Sequence, residues 1–361
     1  MQGLLGLDFP EFSAWCRELV GHDGRFHRAL YRQVMETGCI DAAILPVWQE
    51  AERSRPGTIA TIAAAVDNDQ LPVVIDAATA EDPEQGTTTK LLLRLADGRE
   101  IETVHIPMKG GSYHTVCVSS QVGCRMGCRF CRTATMGLVR NLAAHEIVGQ
   151  VVAAARHTGL MPRNVVFMGM GEPLDNIEAV AQAVRVLTDA NGLGLAFERI
   201  TLSTVGRADV IPTLPFFGLH RVSLAVSLTA ADDTLRSKLI PINRVHNLAA
   251  LKAALMALPL PRDRRILVSY VVIAGLNDTA EHAERLAEWC RDLPVMVNLI
   301  PFNPIPGVGF CRPDTIEINI FRAHLVRLRV PVRMRTTRGD DMLAACGQLA
   351  TEAATSETPP V

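Results

Sequence analysis

A chain of 361 residues with 48% hydrophobic and 20% charged residues has the composition of a folded globular protein, which excludes an extended disordered polymer. Its formal net charge of −2 gives no whole-chain case for nucleic acid, so a polyanionic partner has to be met by local charge. No stretch reaches the roughly 18–20 uninterrupted apolar residues of a membrane span. The start, MQGLLGLDFPEF, lacks the basic-then-apolar pattern of a signal peptide. The expectation is therefore a cytoplasmic protein with no membrane partner.

Residues 1–89 read as a small helical accessory domain. Phe26, Leu30, Val34 and Met35 recur at helical spacing, as do Ile44, Val47 and Trp48. Pro56-Gly57 and the segments 68–72 and 81–86 punctuate the pattern. Across 90–112, the runs 90–95 and 99–106 read as strands joined at Asp97-Gly98, a hairpin followed by a linker.

From 113 to 349 the chain alternates. Strand-like runs at 114–118, 164–168, 199–204, 221–228, 266–273, 295–300 and 330–336 enclose helical patterns near 143–158, 176–190, 247–258, 279–292 and 314–329. This order predicts an α/β fold of right-handed βαβ units around a parallel sheet. About six such units fall short of the eight in a closed barrel, leaving a partial barrel or an open doubly wound sheet. The tail 350–361 is small, polar and Pro-containing, and is expected to be disordered.

Nine cysteines, an odd number without an export signal, do not make a secretory disulfide framework. Three of them, Cys124, Cys128 and Cys131, stand in Cx3Cx2C spacing on a Gly-containing loop after the first strand of the alternating region. Barrel folds place active-site groups after their strands. Three thiolates can hold three irons of a four-iron cluster and leave the fourth open to a cofactor or substrate. The alternative is zinc, which wants a second Cys or His pair; none lies near the triplet, although His114 and Cys117 precede it. Arg125, Arg129 and Arg132 are interleaved with the thiols, against a purely structural role.

Two stretches are locally basic. Arg322, Arg327, Arg329, Arg333, Arg335 and Arg338 lie between Ile318 and Gly339 with no acidic residue, and Gly123 to Leu142 holds four arginines and no acid. Such runs are either solvated faces or sites where phosphates arrive. The FMGMGEP segment at 167–173 follows a strand but lacks the third glycine of a dinucleotide fingerprint.

Cx3Cx2C after a first barrel strand resembles the signature of radical S-adenosylmethionine enzymes. The surrounding text is more specific: CVSSQVGC at 117–124, RNL at 140–142, FMGMGEPLDN at 167–176, LIPIN at 239–243, NLIPFNPIPG at 298–307 and RGDDMLAACGQL at 338–349. Together, from about residue 90 to 349, these resemble the methyltransferases of adenine carbon 2 in 23S ribosomal RNA and transfer RNA, with the carbon-8 enzymes as cousins. A zinc-stabilised RNA-binding protein without catalysis is the rival from another class.

The resemblance implies a partial (β/α)6 radical barrel and a [4Fe–4S] cluster on Cys124, Cys128 and Cys131. It also implies two molecules of S-adenosylmethionine per turnover, held by Gly171, Glu172, Ser203, Ser227, Leu228, Thr229 and Asn303. Family members commonly carry His where this chain has Thr229. Cys346 would carry the methyl as S-methylcysteine, Glu102 would accept the adenine ring proton, and Cys117 would release the product by forming a Cys117–Cys346 disulfide. The implied partners are RNA, an electron donor for the cluster and a disulfide reductant.

Overall fold

A computed structural model describes residues 3–21, 24–40, 46–65, 71–83, 86–108, 113–261, 263–335 and 343–351. The N-terminal part is helical: α1 (Phe9–Leu19), α2 (Gly24–Thr37), α3 (Pro46–Ser54) and α4 (Thr58–Ala65). Asp8 opens α1 with a capping box: its carboxylate accepts from Glu11 N at 3.1 Å, and Glu11 Oε2 accepts from Asp8 N at 3.0 Å. The helical spacing read from the sequence puts Leu30 and Met35 out of solvent beside Phe12, Tyr31 and Trp48. Phe12 packs on Tyr31 at 5.1 Å, and Phe26 meets Trp48 edge-on at 5.5 Å. Truncating one such ring to alanine costs about 3–5 kcal/mol. Ile44, assigned to the same helical pattern, lies outside the described residues.

The expected two-stranded hairpin is a three-stranded antiparallel meander: β1 (Val73–Asp82), β2 (Gly86–Arg94) and β3 (Glu100–Pro107). The helical reading of 1–89 therefore fails at β1, and a boundary at 89/90 cuts β2. β1 is an edge strand whose residues are all exposed or half-buried, so it carries no apolar alternation to read. The Asp97-Gly98 turn is where the sequence put it, with Gly98 at φ +80°.

β4 (His114–Cys117) turns the meander into the main sheet, pairing antiparallel with β3 and parallel with β7 (Asn164–Phe167). β8 (Ile200–Thr204), β9 (Ser223–Ser227), β10 (Ile266–Val272), β11 (Val295–Pro301) and β12 (Val332–Met334) continue in sequence order, every neighbouring pair parallel. Between β4 and β7 lies a small hairpin of β5 (Gln121–Cys124) and β6 (Gly137–Asn141), which the sequence reading did not contain. The helices α5 (Ala144–Thr158), α6 (Ile177–Thr188), α7 (Asp233–Leu239), α8 (Leu248–Met256), α9 (Ala280–Cys290) and α10 (Thr315–Arg327) fill the crossovers except that from β8 to β9, which holds only short 3-10 turns. This is the partial barrel expected from the alternation, and no helix among the described residues is long and apolar enough to cross a membrane.

Strand alternation sorts the barrel's two faces. Along β10, Val268, Tyr270 and Val272 are fully buried, with Tyr270 stacked on Phe321 of α10 at 5.4 Å, while Leu267 and Ser269 line an internal cavity. The N-terminal helices dock on α6: Gln182 Nε2 donates to Gly6 O at 2.8 Å, and Asp189 just beyond α6 accepts from Phe9 N at 2.8 Å. In the expected tail, Ala350 and Thr351 are buried; residues 352–361 lie outside the described residues.

Candidate active site

The cysteine triplet runs from Cys124, the last residue of β5, through Cys128 on the following loop to Cys131, which caps the 3-10 turn Arg132–Met136. β5 and β6 can close over it because Gly123 adopts φ +74° exactly where a Cβ would run into the Gly137 carbonyl. The loop is fixed from two sides. Arg129 N donates to Leu239 O at 3.0 Å, and Arg132 N to Gly347 O at 2.7 Å. Thr133 Oγ1 adds a 2.6 Å bond to Leu349 O, so the segment after residue 342 is laid against the triplet.

Cys124 and Cys128 share an apolar patch with Met126, Leu239, Ile240, Ile273, Phe302 and Ile305. Burial pushes the Cys124 thiol up to about 12, and raises Cys128 and Cys131 as well. The neighbouring thiols add to this: Cys131 and Cys124 both oppose a charge on Cys128. Neighbouring thiols, two buried and one half-buried, resist ionisation unless positive metal charge comes with it. That donor set suits an iron–sulfur cluster. Among the described residues no three His, Cys, Asp or Glu side chains are gathered as ligands of a single metal ion.

After β7 the chain makes the Gly169–Met170–Gly171 turn under the triplet. A Cβ on Gly169 would lie 2.7 Å from Val118 O, and one on Gly171, at φ +101°, 2.6 Å from Gln121 Cβ. Glu172 is buried, with Oε1 accepting from Leu174 N at 3.0 Å and Oε2 from Val205 N at 2.9 Å. Burial raises its pKa, and its charge in turn acts on Cys124 and Cys128, so carboxylate and triplet are near neighbours.

Beyond β9, Leu228 N donates to Ser269 O at 2.9 Å, and Thr229 takes φ +58°, a strained conformation for a β-branched residue. Its Oγ1 is buried with no hydrogen-bond partner among the described residues, and so is Asn303 Oδ1, while Asn303 Nδ2 donates to Cys346 O at 3.0 Å. Buried polar atoms left unpaired in this way are costly unless a ligand supplies the partner. Ser227 ends β9 next to them. Ser203 shares a face of β8 with Thr201, and its side chain makes no hydrogen bond to the others among the described residues.

Cys117, at the end of β4, and Cys346 line one cavity of about 340 Å³ together with Met168, Ser269, Asn298 and Asn303. Arg333 and Arg335 also line it, and among the described residues no carboxylate does. Burial pushes Cys117 up to about 12; Cys346 adds to the rise and Arg335 opposes it. Glu102 lies on the face of β3 that continues into the cavity-lining Val104 and Ile106. Its carboxylate bonds Lys90 Nζ at 3.1 Å and accepts from Ala350 N at 2.8 Å. Burial raises the Glu102 pKa against the pull of Lys90 and Arg132.

Of the basic stretch 123–142, Arg125 is tied to Asp175 at 2.6 Å, and Arg140 to Asp97 at 2.7 Å and Glu146 at 2.8 Å. Two of its four arginines are therefore neutralised by acids distant in sequence. In the other stretch Arg338 lies outside the described residues. The sequence reading missed Gln121, whose Oε1 accepts from Glu172 N at 2.8 Å, and the fully buried Arg236. Gln121 stands within the CVSSQVGC motif but was not singled out there, and Arg236 stands in no pattern that marks it.

Comparison with known proteins agrees with this geometry. The radical SAM superfamily matches residues 118–290. A dual-specificity RNA methyltransferase RlmN of Syntrophobacter fumaroxidans is 39% identical over 346 residues, 95% of this chain and 96% of the relative. The protein of the same name from Pelobacter propionicus is 46% identical over 264 residues, covering 73% and 74%. The crystal structure of a radical SAM methyltransferase from Sphaerobacter thermophilus is 38% identical, covers 97% of this chain and 99% of that one, and superposes with a TM-score of 0.84. The chain belongs to the RlmN family of radical S-adenosylmethionine methyltransferases.

Proposed function

We propose that this protein methylates carbon 2 of an adenine in 23S ribosomal RNA, transfer RNA or both, through a methyl carried on Cys346. The observation that carries the reading is the shared cavity of Cys117 and Cys346 beside the triplet loop. The names of the relatives support RNA as substrate. A [4Fe–4S] cluster held by Cys124, Cys128 and Cys131, with two molecules of S-adenosylmethionine per turnover, would supply the methyl group and the hydrogen-abstracting radical.

The chain's own residues do the rest. Glu172 and the backbone of Gly171 take the cofactor's ammonium, a charge-assisted contact that each carboxylate oxygen can add to its one backbone bond. The unpaired Thr229 and Asn303 oxygens, with Ser203, Ser227 and Leu228, complete that pocket.

Cys346 presents the methyl from a segment pinned by Asn303 and by Arg132. Glu102 accepts the ring proton, its raised pKa making it a better base than an ordinary carboxylate. The Cys117 thiolate then attacks the Cys346 sulfur. The sulfur–carbon bond breaks, its electron pair stays on carbon and takes a proton, and a disulfide remains for a cellular reductant. Arg333 and Arg335 give the cavity a positive wall for the nucleotide's phosphate, and the adenine has to leave its stack to enter. An external electron donor serves the cluster.

Mass mapping of ribosomal and transfer RNA from a deletion strain tests this. Loss of 2-methyladenine, restored by the gene, is expected. Loss of an 8-methyladenine would favour the cousin activity, and RNA with unchanged methylation, together with zinc but no iron in the protein, would favour the binding protein.

A further inference from the structure

Arg236 has no role in the steps above, yet it is the most deeply committed charge in the barrel. It lies on α7, whose N-terminus is capped by Asp232 accepting from Leu235 N at 2.8 Å. Its side chain is entirely out of solvent. The guanidinium donates from Nη2 to Val205 O at 2.6 Å and Ser227 O at 3.1 Å, from Nε to Leu228 O at 3.2 Å, and from Nη1 to Asn243 Oδ1 at 2.7 Å. All four acceptors are neutral, and Arg236 enters no salt bridge among the described residues. A buried cation held only by dipoles is costly, and natural proteins normally pair it with an anion.

α7 ends against the triplet, where Leu239 O accepts from Arg129 N at 3.0 Å and Leu239 and Ile240 pack with Cys124 and Cys128; the acidic groups that act on the Arg236 charge are Cys128, the stronger, and Asp233. Asp233 is exposed, and its Oδ1 is already taken by Asn243 Nδ2 and Leu248 N, both at 2.9 Å. Burial pulls Arg236 down to about 10, which leaves it cationic at neutral pH, and it is the group that works to lower Cys128. Its three contacts with backbone carbonyls reach the cofactor pocket. The Val205 carbonyl it grips belongs to the residue whose N–H holds Glu172, and the Ser227 and Leu228 carbonyls open the turn that sets Thr229.

We propose that Arg236 is a positioning residue with two duties: it is the fixed counter-charge of the centre on Cys124, Cys128 and Cys131, and it clamps the ends of β8 and β9 into the shape of the cofactor pocket. The proposal rests on reading the triplet as cluster ligands. Reduction adds a negative charge to that centre, and a buried cation that cannot move favours the more negative state. Arg236 therefore makes the cluster easier to reduce.

The test is a redox titration of the anaerobically reconstituted full-length protein, followed by electron paramagnetic resonance, with iron content measured alongside. Arg236→Lys keeps the charge and should titrate near the wild-type potential. Arg236→Gln should retain cluster but titrate at a more negative potential, and bind S-adenosylmethionine more weakly. Removing the competing anion with Asp233→Asn should move the potential the other way, and this exposed site keeps the test alive if Arg236→Gln does not fold. A Gln variant with full iron and the wild-type potential would overturn the proposal, as would an Asp233→Asn potential that stays put or falls. Wild-type protein that takes up no cluster would overturn the reading of the triplet instead, before any variant is compared.

Discussion

Cys117 and Cys346 come from opposite ends of the barrel domain and line the same cavity, each near enough to the other for Cys346 to push the Cys117 thiol up. The sheet brings this about. β4 delivers Cys117 at its C-terminal end, and residues 343–351 lie against the triplet loop, where Arg132 holds Gly347 and Asn303 holds Cys346. Two free thiols lining one cavity, with arginines and no carboxylate in its wall among the described residues, are placed for exchange chemistry.

Cys128→Ala removes one of three candidate ligands from the dry patch around Ile240 and Phe302. Reconstituted protein should lose most of its iron and fail to cleave S-adenosylmethionine under reduction, while folding persists. Full iron with normal cleavage would remove the triplet from the site.

Glu172→Gln keeps the shape of a side chain that bonds Leu174 N and Val205 N, but loses its charge. A hydrogen bond to a charged group is worth about 1.5–3 kcal/mol, so the cofactor dissociation constant should rise roughly ten- to a hundred-fold with iron content unchanged. An unaltered dissociation constant would reduce the GMGEP segment to a turn.

His105 makes stability depend on pH. It is buried, stacked on His114 at 4.8 Å, and its Nε2 has no hydrogen-bond partner among the described residues. Burial, then the His114 charge, lowers its pKa from 6.5 to about 4. In that interval the unfolded chain binds a proton that the folded chain does not, so the stabilisation is complete above about 6.5 and is lost as pH falls toward 4. Between pH 7 and pH 5 urea unfolding should show a loss of about 2 kcal/mol that is absent from His105→Phe. Equal losses in the two proteins would show that His105 is not the group titrating.

Most of the parallel strands were legible because they set apolar residues toward the core at every second position, as Val268, Tyr270 and Val272 do in β10, and their helices carry a clear stripe, as with Ala283, Leu286 and Cys290 in α9. β1 was not, since VVIDAATAED is exposed or half-buried throughout. β5 and β6 are short, and their pairing depends on a left-handed Gly123 that spacing does not reveal. Cys124, Cys128 and Cys131 announce themselves by spacing. Cys117, Cys346 and Glu102 do not, because they approach one another only when the sheet curls, and the family resemblance singled them out. Arg236 escaped both routes: its partners are mostly backbone carbonyls, and those leave no mark in a sequence.

The central claim is that Cys346 carries the methyl and Cys117 frees the product. It is tested most directly by running Cys117→Ala protein, expressed with its RNA, on a denaturing gel. A thioether-linked adduct has no easy way out without a thiolate to attack its sulfur. The account predicts an upward-shifted band that nuclease removes, absent from Cys346→Ala and from the double variant. A Cys117→Ala protein that methylates RNA with normal turnover and shows no shifted band would contradict it.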